Sequence, residues 1–210
     1  MNPSDTLNNI FNDGLYGKQF NWCLNFLIKK GKEIFGEDYH IKELDYEIIY
    51  KLLVFFLHDK GNAQKLGLDL NKGILLEADK NCEKINLMNL IKHVALPNYM
   101  FESVPCKKIK LEFIENGMIA LNNYCYMSFK DEFPKTFCFE YLGSEISFKD
   151  VEIKSNTVMP NLILTRYDYF IKHKLITHFT TTFSIGEIEE FYGKLVGTKL
   201  QEMTNQISYR

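Results

Sequence analysis

The chain predicts an α/β fold with a parallel sheet, entered through a run of helices. Three observations carry that expectation. Within residues 1–65 every periodic segment is helical. After "LGLDLNKG", short apolar runs alternate with amphipathic helix patterns, the grammar of a parallel sheet covered on both faces. The 210 residues are 46% hydrophobic and 25% charged, the balance of a globular chain able to bury one sizeable core.

The helical segment, residues 1–65, holds two amphipathic stretches. "KQFNWCLNFLIKKGKEIFG" sets Phe20, Cys23, Leu24, Phe26, Leu27 and Ile34 at helical spacing, with lysines on the other side. "IKELDYEIIYKLLVFFLHDKG" repeats the pattern and is expected to stop at Gly61. The two are expected to pair in antiparallel fashion, with Phe20, Trp22 and Phe26 as packing residues.

Residues 66–210 form the α/β part. "GILLEA", "YMFESV", "KTFCFEYLG" and "LITHFTTTF" read as strands. "NCEKINLMNLIKHV", "CKKIKLEFIENGMIAL" and "TVMPNLILTRYDYFIKHK" read as helices, with Pro160 tolerable only near a first turn. "SIGEIEEFYGKLVGTKLQEM" reads as one or two helices, opened by a Ser184–Glu187 capping box.

Charge and cysteine usage narrow the function classes. A net charge of -2 and a pI near 6.2 argue against a strongly basic nucleic-acid binder, although Lys107, Lys108 and Lys110 keep a local patch in play. No apolar run reaches membrane-spanning length, and "MNPSDTLNNIFNDG" lacks the layout of a secretion signal, so a cytoplasmic protein is expected. Cys23, Cys82, Cys106, Cys125 and Cys138 include no C-x-x-C pair, so buried thiols are expected rather than disulfides or zinc. His173 and His178, five apart across a strand–helix junction, are not expected to bind metal.

Five blocks, in order, carry a family resemblance: "NKGILL", "YMFESVPCKKIKLEFIENGMIALNNY", "FCFEYLGSE", "VMPNLILTRYDYFI" and "THFTTTFSIGEIEEFYGKLVGTKLQEM". They resemble the AAA+ P-loop ATPases of the DnaC/IstB type, bacterial helicase loaders and transposition helpers. The likeness is strongest to the short forms of Bacteroidetes-like genomes and mobile elements. The resemblance implies a three-layer P-loop NTPase fold. It also implies a nucleotide site whose Walker A lysine reaches the β/γ-phosphates and whose Walker B acids hold Mg²⁺.

The motifs depart from the family pattern. In "ADKNCEKI", Ala78 and Glu83 stand where glycines belong, and Ile85 stands where a hydroxyl belongs; Lys84 alone matches. Glu83 and Asp79 would set negative charge beside the triphosphate. Cys82 would sit in the same degenerate loop, with Glu83 opposing a low thiol pKa. At Walker B the chain has Glu140 then Tyr141, and at sensor 1 it has Thr182. Leu195 and Lys199 replace the arginines of the last helix, and a lysine lacks the planar fork of a guanidinium. Arg210 is placed to mimic a sensor 2 arginine, its register open, and Arg166 matches a family-like "RYD", with a structural role on the helix surface as the equal alternative.

The expectation is therefore a catalytically inactive pseudo-ATPase: no catalytic residue, no metal, no cofactor, and a vestigial nucleotide site at Lys84 and Glu140 with weak residual ATP binding at most. What remains is surface. The resemblance implies protein contacts with a helicase, an active loader paralogue or a transposase, and self-association. Two alternatives stay open: a residual ATP-binding switch, and a subunit that binds single-stranded DNA. No membrane contact is expected.

Overall fold

A computed structural model describes residues 14–78, 86–125, 129–130, 133–146 and 158–208 of the chain. Helix α1 (Gly14–Phe35) and helix α2 (Tyr46–Phe56) precede a short α3 (Lys60–Leu66). Strand β1 (Gly73–Glu77) is followed by α4 (Asn86–Ile91), β2 (Glu102–Pro105), α5 (Cys106–Asn116) and α6 (Met118–Tyr124). A two-residue antiparallel pair, β3 (Phe129–Lys130) and β4 (Phe133–Pro134), leads to β5 (Phe137–Leu142). Helix α7 (Val158–His173), β6 (Thr177–Thr181), α8 (Ile185–Tyr192), α9 (Lys194–Met203) and β7 (Thr204–Ser208) complete the order.

Five strands form one parallel sheet in the order β2-β5-β6-β1-β7. Successive residues of a strand face opposite sides, and the burial follows. Ile74 and Leu76 of β1 join a core with α1, α2 and α4, which also contains Cys138 and Ile207. Leu75 of β1 joins the opposite core with Phe137, Phe139 and Phe179 under α5 to α9. The sheet is buried on both faces, as its apolar runs require.

The structure corrects several sequence expectations. Gly61 does not end a helix; it lies inside α3. The chain breaks earlier, at His58, whose φ of 55° is left-handed, and Asp59 then caps α3 by accepting from the Asn62 amide at 3.0 Å. The stretch 106–124 is not one helix but two, parted at Gly117 with φ 61°, whereas 185–203, read as one or two helices, is two, parted at Gly193. Trp22 does not pack into the core: it is 68% exposed, whereas Phe20 is buried against Tyr46 and Tyr50 of α2. Ile34 is also exposed. Pro160 sits in the first turn of α7, and the Ser184–Glu187 capping box is formed.

Strand β7 escaped the sequence reading altogether. Asn205 holds it to the entry of β1: its Oδ1 accepts from the Asp69 amide at 2.8 Å, and its Nδ2 donates to Asp69 O at 2.8 Å and Gly73 O at 3.0 Å. At Gly73 a Cβ would lie 1.8 Å from Thr177 O, so β1 and β6 approach there as only glycine allows. Replacing Asn205 by Ala leaves three buried or half-buried backbone groups without this partner. The variant is expected to lose roughly 2 kcal/mol of stability, read as a lower urea midpoint at unchanged slope.

Candidate nucleotide site

In an open parallel sheet, ligands gather beyond the carboxyl ends of the strands where the connections change side. Here β1 is that strand: its crossover to β2 reaches one edge, while the crossover from β6 to β7 passes to the other side of β1. The end of β1 adjoins the end of β6, with Glu77 opposite Thr181 and the Ala78 amide donating to Thr181 O at 2.8 Å. The segment that follows, 79–85, is the predicted phosphate loop. Asp79, Cys82, Glu83, Lys84 and Ile85 lie outside the described residues, as does Arg210.

Glu140 is described, and it lies near the end of β5 as expected, buried at 6% exposure. Among the described residues its carboxylate is met by Asn89 of α4, whose Nδ2 donates to Oε1 at 2.7 Å. The amide oxygen of Asn89 accepts from Ser103 Oγ of β2 at 3.0 Å and from Lys92 Nζ at 3.3 Å. Glu140 therefore belongs to a polar network joining β5, α4 and β2. Sequence reasoning missed Asn89 and Ser103, because a lone Asn on a helix and a lone Ser in a strand carry no motif.

The residue after Glu140 is unusual in its backbone. Tyr141 has φ 58°, its amide donates to Thr180 Oγ1 at 3.0 Å, and the pairing of β5 with β6 is irregular between Phe139 and Leu142. A bulky residue in the left-handed region marks a strained strand end. Thr182, the sensor position, lies half-buried one residue past β6. Leu195 is 60% exposed. Lys199, at the second arginine position, bonds Glu202 at 2.9 Å and sits 4.5 Å from the centre of the Tyr167 ring.

The polar groups beneath this edge are more committed than the sequence suggested. Arg166 is not on a helix surface; it is fully buried. Its Nε donates to Thr177 Oγ1 at 2.7 Å, Nη1 to Tyr124 O at 2.9 Å, and Nη2 to Lys135 O at 3.0 Å and Ile176 O at 3.4 Å. Burial pulls its pKa down to about 10. A signal was available: Met159, Leu162, Ile163 and Arg166 fall at helical spacing on one stripe. Glu145 accepts from the Gly143 amide at 3.0 Å and from the Tyr192 hydroxyl, and burial raises its pKa. Lys110 is buried too, donating to Glu145 O at 2.7 Å. Lys110 is thus removed from the predicted basic patch, and Lys108 faces Glu112 at 3.7 Å.

His178 is the second residue of β6 rather than a flank of it, and His173 lies apart and exposed at the end of α7. Among the described residues no group of three or more His, Cys, Asp or Glu could hold a metal ion. Cys23, Cys106, Cys125 and Cys138 are free and buried; Cys82 lies outside the described residues. Burial raises the pKa of Cys125 to about 11 and pushes Cys106 and Cys138 well above the ordinary thiol range, which makes these thiols inert. Among the described residues no helix is long and apolar enough to cross a membrane.

The parallel sheet order and the helical layers on its two faces define the class: an α/β fold of the P-loop NTPase type, with helices ahead of the sheet. Among solved structures, the chain is similar to the DnaC helicase loader, with a TM-score of 0.57 and 15% identity over 83% of this chain and 95% of that one. It is also similar to DnaI, with a TM-score of 0.54 and 14% identity over 81% of this chain and 88% of that one. The chain shares the fold of these two solved structures. No protein-family profile matches the chain, and no curated protein matches it.

Proposed function

We propose that this chain is a helicase-loader-like protein that acts through protein contacts and does not turn over ATP. The observation that carries this reading is the state of the Walker B position. Phosphoryl transfer there needs carboxylates free to hold Mg²⁺ and polarise water. Glu140 is hydrogen-bonded to the Asn89 amide, and Tyr141 supplies no second acid. Leu195 cannot stabilise a transferring phosphoryl group, and the Lys199 ammonium is engaged by Glu202 and Tyr167. The preferred partner is a replicative helicase, a choice supported by the fold shared with DnaC and DnaI. An active loader paralogue and a mobile-element transposase are the next classes, and the cytoplasm is the proposed compartment.

The test is direct. Purified chain incubated with Mg-ATP is expected to release no phosphate above the protein-free rate, and to bind a replicative helicase on size exclusion without added nucleotide. Turnover that disappears in Lys84→Ala would end the reading. A thermal shift with Mg-ATP, lost in the same variant but without turnover, would replace it by a nucleotide-binding switch.

A further inference from the structure

Helix α5 hides one apolar face and leaves a second one open. Cys106 and Ile109 join the core with Phe137 and Phe139, and Lys110 is buried against Glu145 O. The opposite strip carries Lys107, Leu111, Ile114 and Glu115, at spacings that share one side of the helix, and all four are exposed. Met118 and Ile119 follow at the start of α6. Leu111, Ile114, Met118 and Ile119 are each at least 60% exposed. Of the fourteen large hydrophobic side chains exposed among the described residues, four thus fall within nine consecutive positions. An exposed apolar cluster edged by charge marks a contact surface, whereas single exposed residues need no explanation.

The charges on the strip decide what covers it. Lys108 faces Glu112 at 3.7 Å, and Glu112 also accepts from the Tyr124 hydroxyl at 2.6 Å. Lys107 and Glu115 form no ion pair among the described residues. They stand about 12 Å apart along the helix axis, with Leu111 midway between them. A strip with a cation at one end, an anion at the other and an aliphatic side chain at its centre is complementary to itself run backwards. Turned about a two-fold axis through Leu111, a second α5 sets its Glu115 against Lys107 and its Lys107 against Glu115, with Leu111 on Leu111. That is the self-matching pattern an isologous contact requires. Two lysines against two glutamates leave the face without the basic excess that an anionic membrane or a nucleic acid needs. We propose that this face joins two copies of the chain in an isologous dimer, with α5 packed antiparallel on α5. Such a dimer has a defined face and a closed two-fold symmetry, neither of which the resemblance implies, and it forms whether or not ATP is turned over.

One helix ridge per copy falls short of the roughly 800 Å² per partner of a standard interface, so the dimer is expected to be weak, with a micromolar dissociation constant. Sedimentation velocity of the full chain from about 1 to about 200 μM is expected to show a shift from monomer to dimer. No larger species should appear, because a two-fold contact closes on itself. Lys107→Glu and Glu115→Lys each set two like-charged pairs across the axis and should weaken dimerisation about tenfold. The double variant K107E/E115K restores opposite charges and should recover wild-type affinity. A mixture of the two single variants should associate more tightly than either alone, because each reversed charge then meets its complement. Leu111→Ser should abolish the dimer while leaving the thermal melting of the monomer unchanged, since that side chain is exposed there. A wild-type chain that stays monomeric at the highest concentration overturns the proposal and assigns the ridge to a different protein. Open-ended oligomers overturn it as well, as does a dimer indifferent to the single charge reversals or not restored by the double variant.

Discussion

Arg166→Met is expected to lower the free energy of unfolding by about 3 kcal/mol or more. The guanidinium is buried and spans four acceptors from separate parts of the chain: Thr177 and Ile176 at β6, Tyr124 at the end of α6, and Lys135 before β5. It also lies 5.2 Å from the Phe137 ring centre and 5.7 Å from that of Phe139. Burying a cation is costly, and among the described residues no carboxylate pairs with it, so the charge itself contributes little. The loss comes from the acceptors. Methionine fills the space but leaves three carbonyls and a hydroxyl oxygen without their donor, each worth about 1–3 kcal/mol when buried. Removing the desolvation penalty offsets only part of that. Arg166→Lys should be nearly as damaging, because one ammonium cannot reach four acceptors arranged for a planar fork. Urea unfolding of both variants checks this, and a midpoint unchanged in Arg166→Met would refute the assignment.

The second large effect is acid sensitivity centred on His178. Its ring is enclosed by Phe55, Phe56 and Phe101, with centroids 5.8, 5.2 and 5.1 Å away, and Nδ1 accepts from the Ile74 amide at 3.1 Å. Burial, with a smaller contribution from Arg166, lowers its pKa to about 3. The unfolded chain carries an ordinary imidazole near 6.5. Below that pH the unfolded state takes up a proton that the folded state refuses. The stability held by neutral His178 is therefore full above pH 6.5 and is lost as the pH falls toward 3. The range corresponds to about 5 kcal/mol. His178→Gln keeps an acceptor for Ile74 without a titrating ring. The stability gap between wild type and variant should shrink steadily from pH 7 to pH 4, and parallel curves over that range would show that His178 does not govern the response.

Much of the layered architecture was legible because burial on both faces leaves a plain trace. Runs such as "GILLE" and "FCFEYL" are strands that are apolar on both faces save for Glu77 and Glu140 near their carboxyl ends, and the helices between them carry a single apolar stripe. The capping box at Ser184 and the first-turn Pro160 were equally readable, since each acts through residues within one helical turn. Gly61 misled because the break at His58 comes from a left-handed non-glycine, which no composition signal marks. At the candidate site, the letters at positions 140 and 141 were visible in the sequence. That Asn89 and Ser103 hold Glu140 was not, because those three side chains come from three different elements.

By itself the sequence determined the alternation of strands and helices, the two-sided burial of the sheet and the departures from a phosphate-binding motif. All of these are written in local periodicity and residue type. Tertiary structure alone decided the polar "TNQIS" as the fifth strand, the burial of Arg166 and the exposure of Trp22. Each of those outcomes depends on what lies opposite a side chain in space: Asp69 and Gly73 for Asn205, three distant carbonyls for Arg166, and solvent for Trp22. A local pattern can state which faces must be hidden, but the partner that hides each one is chosen only when the chain closes on itself.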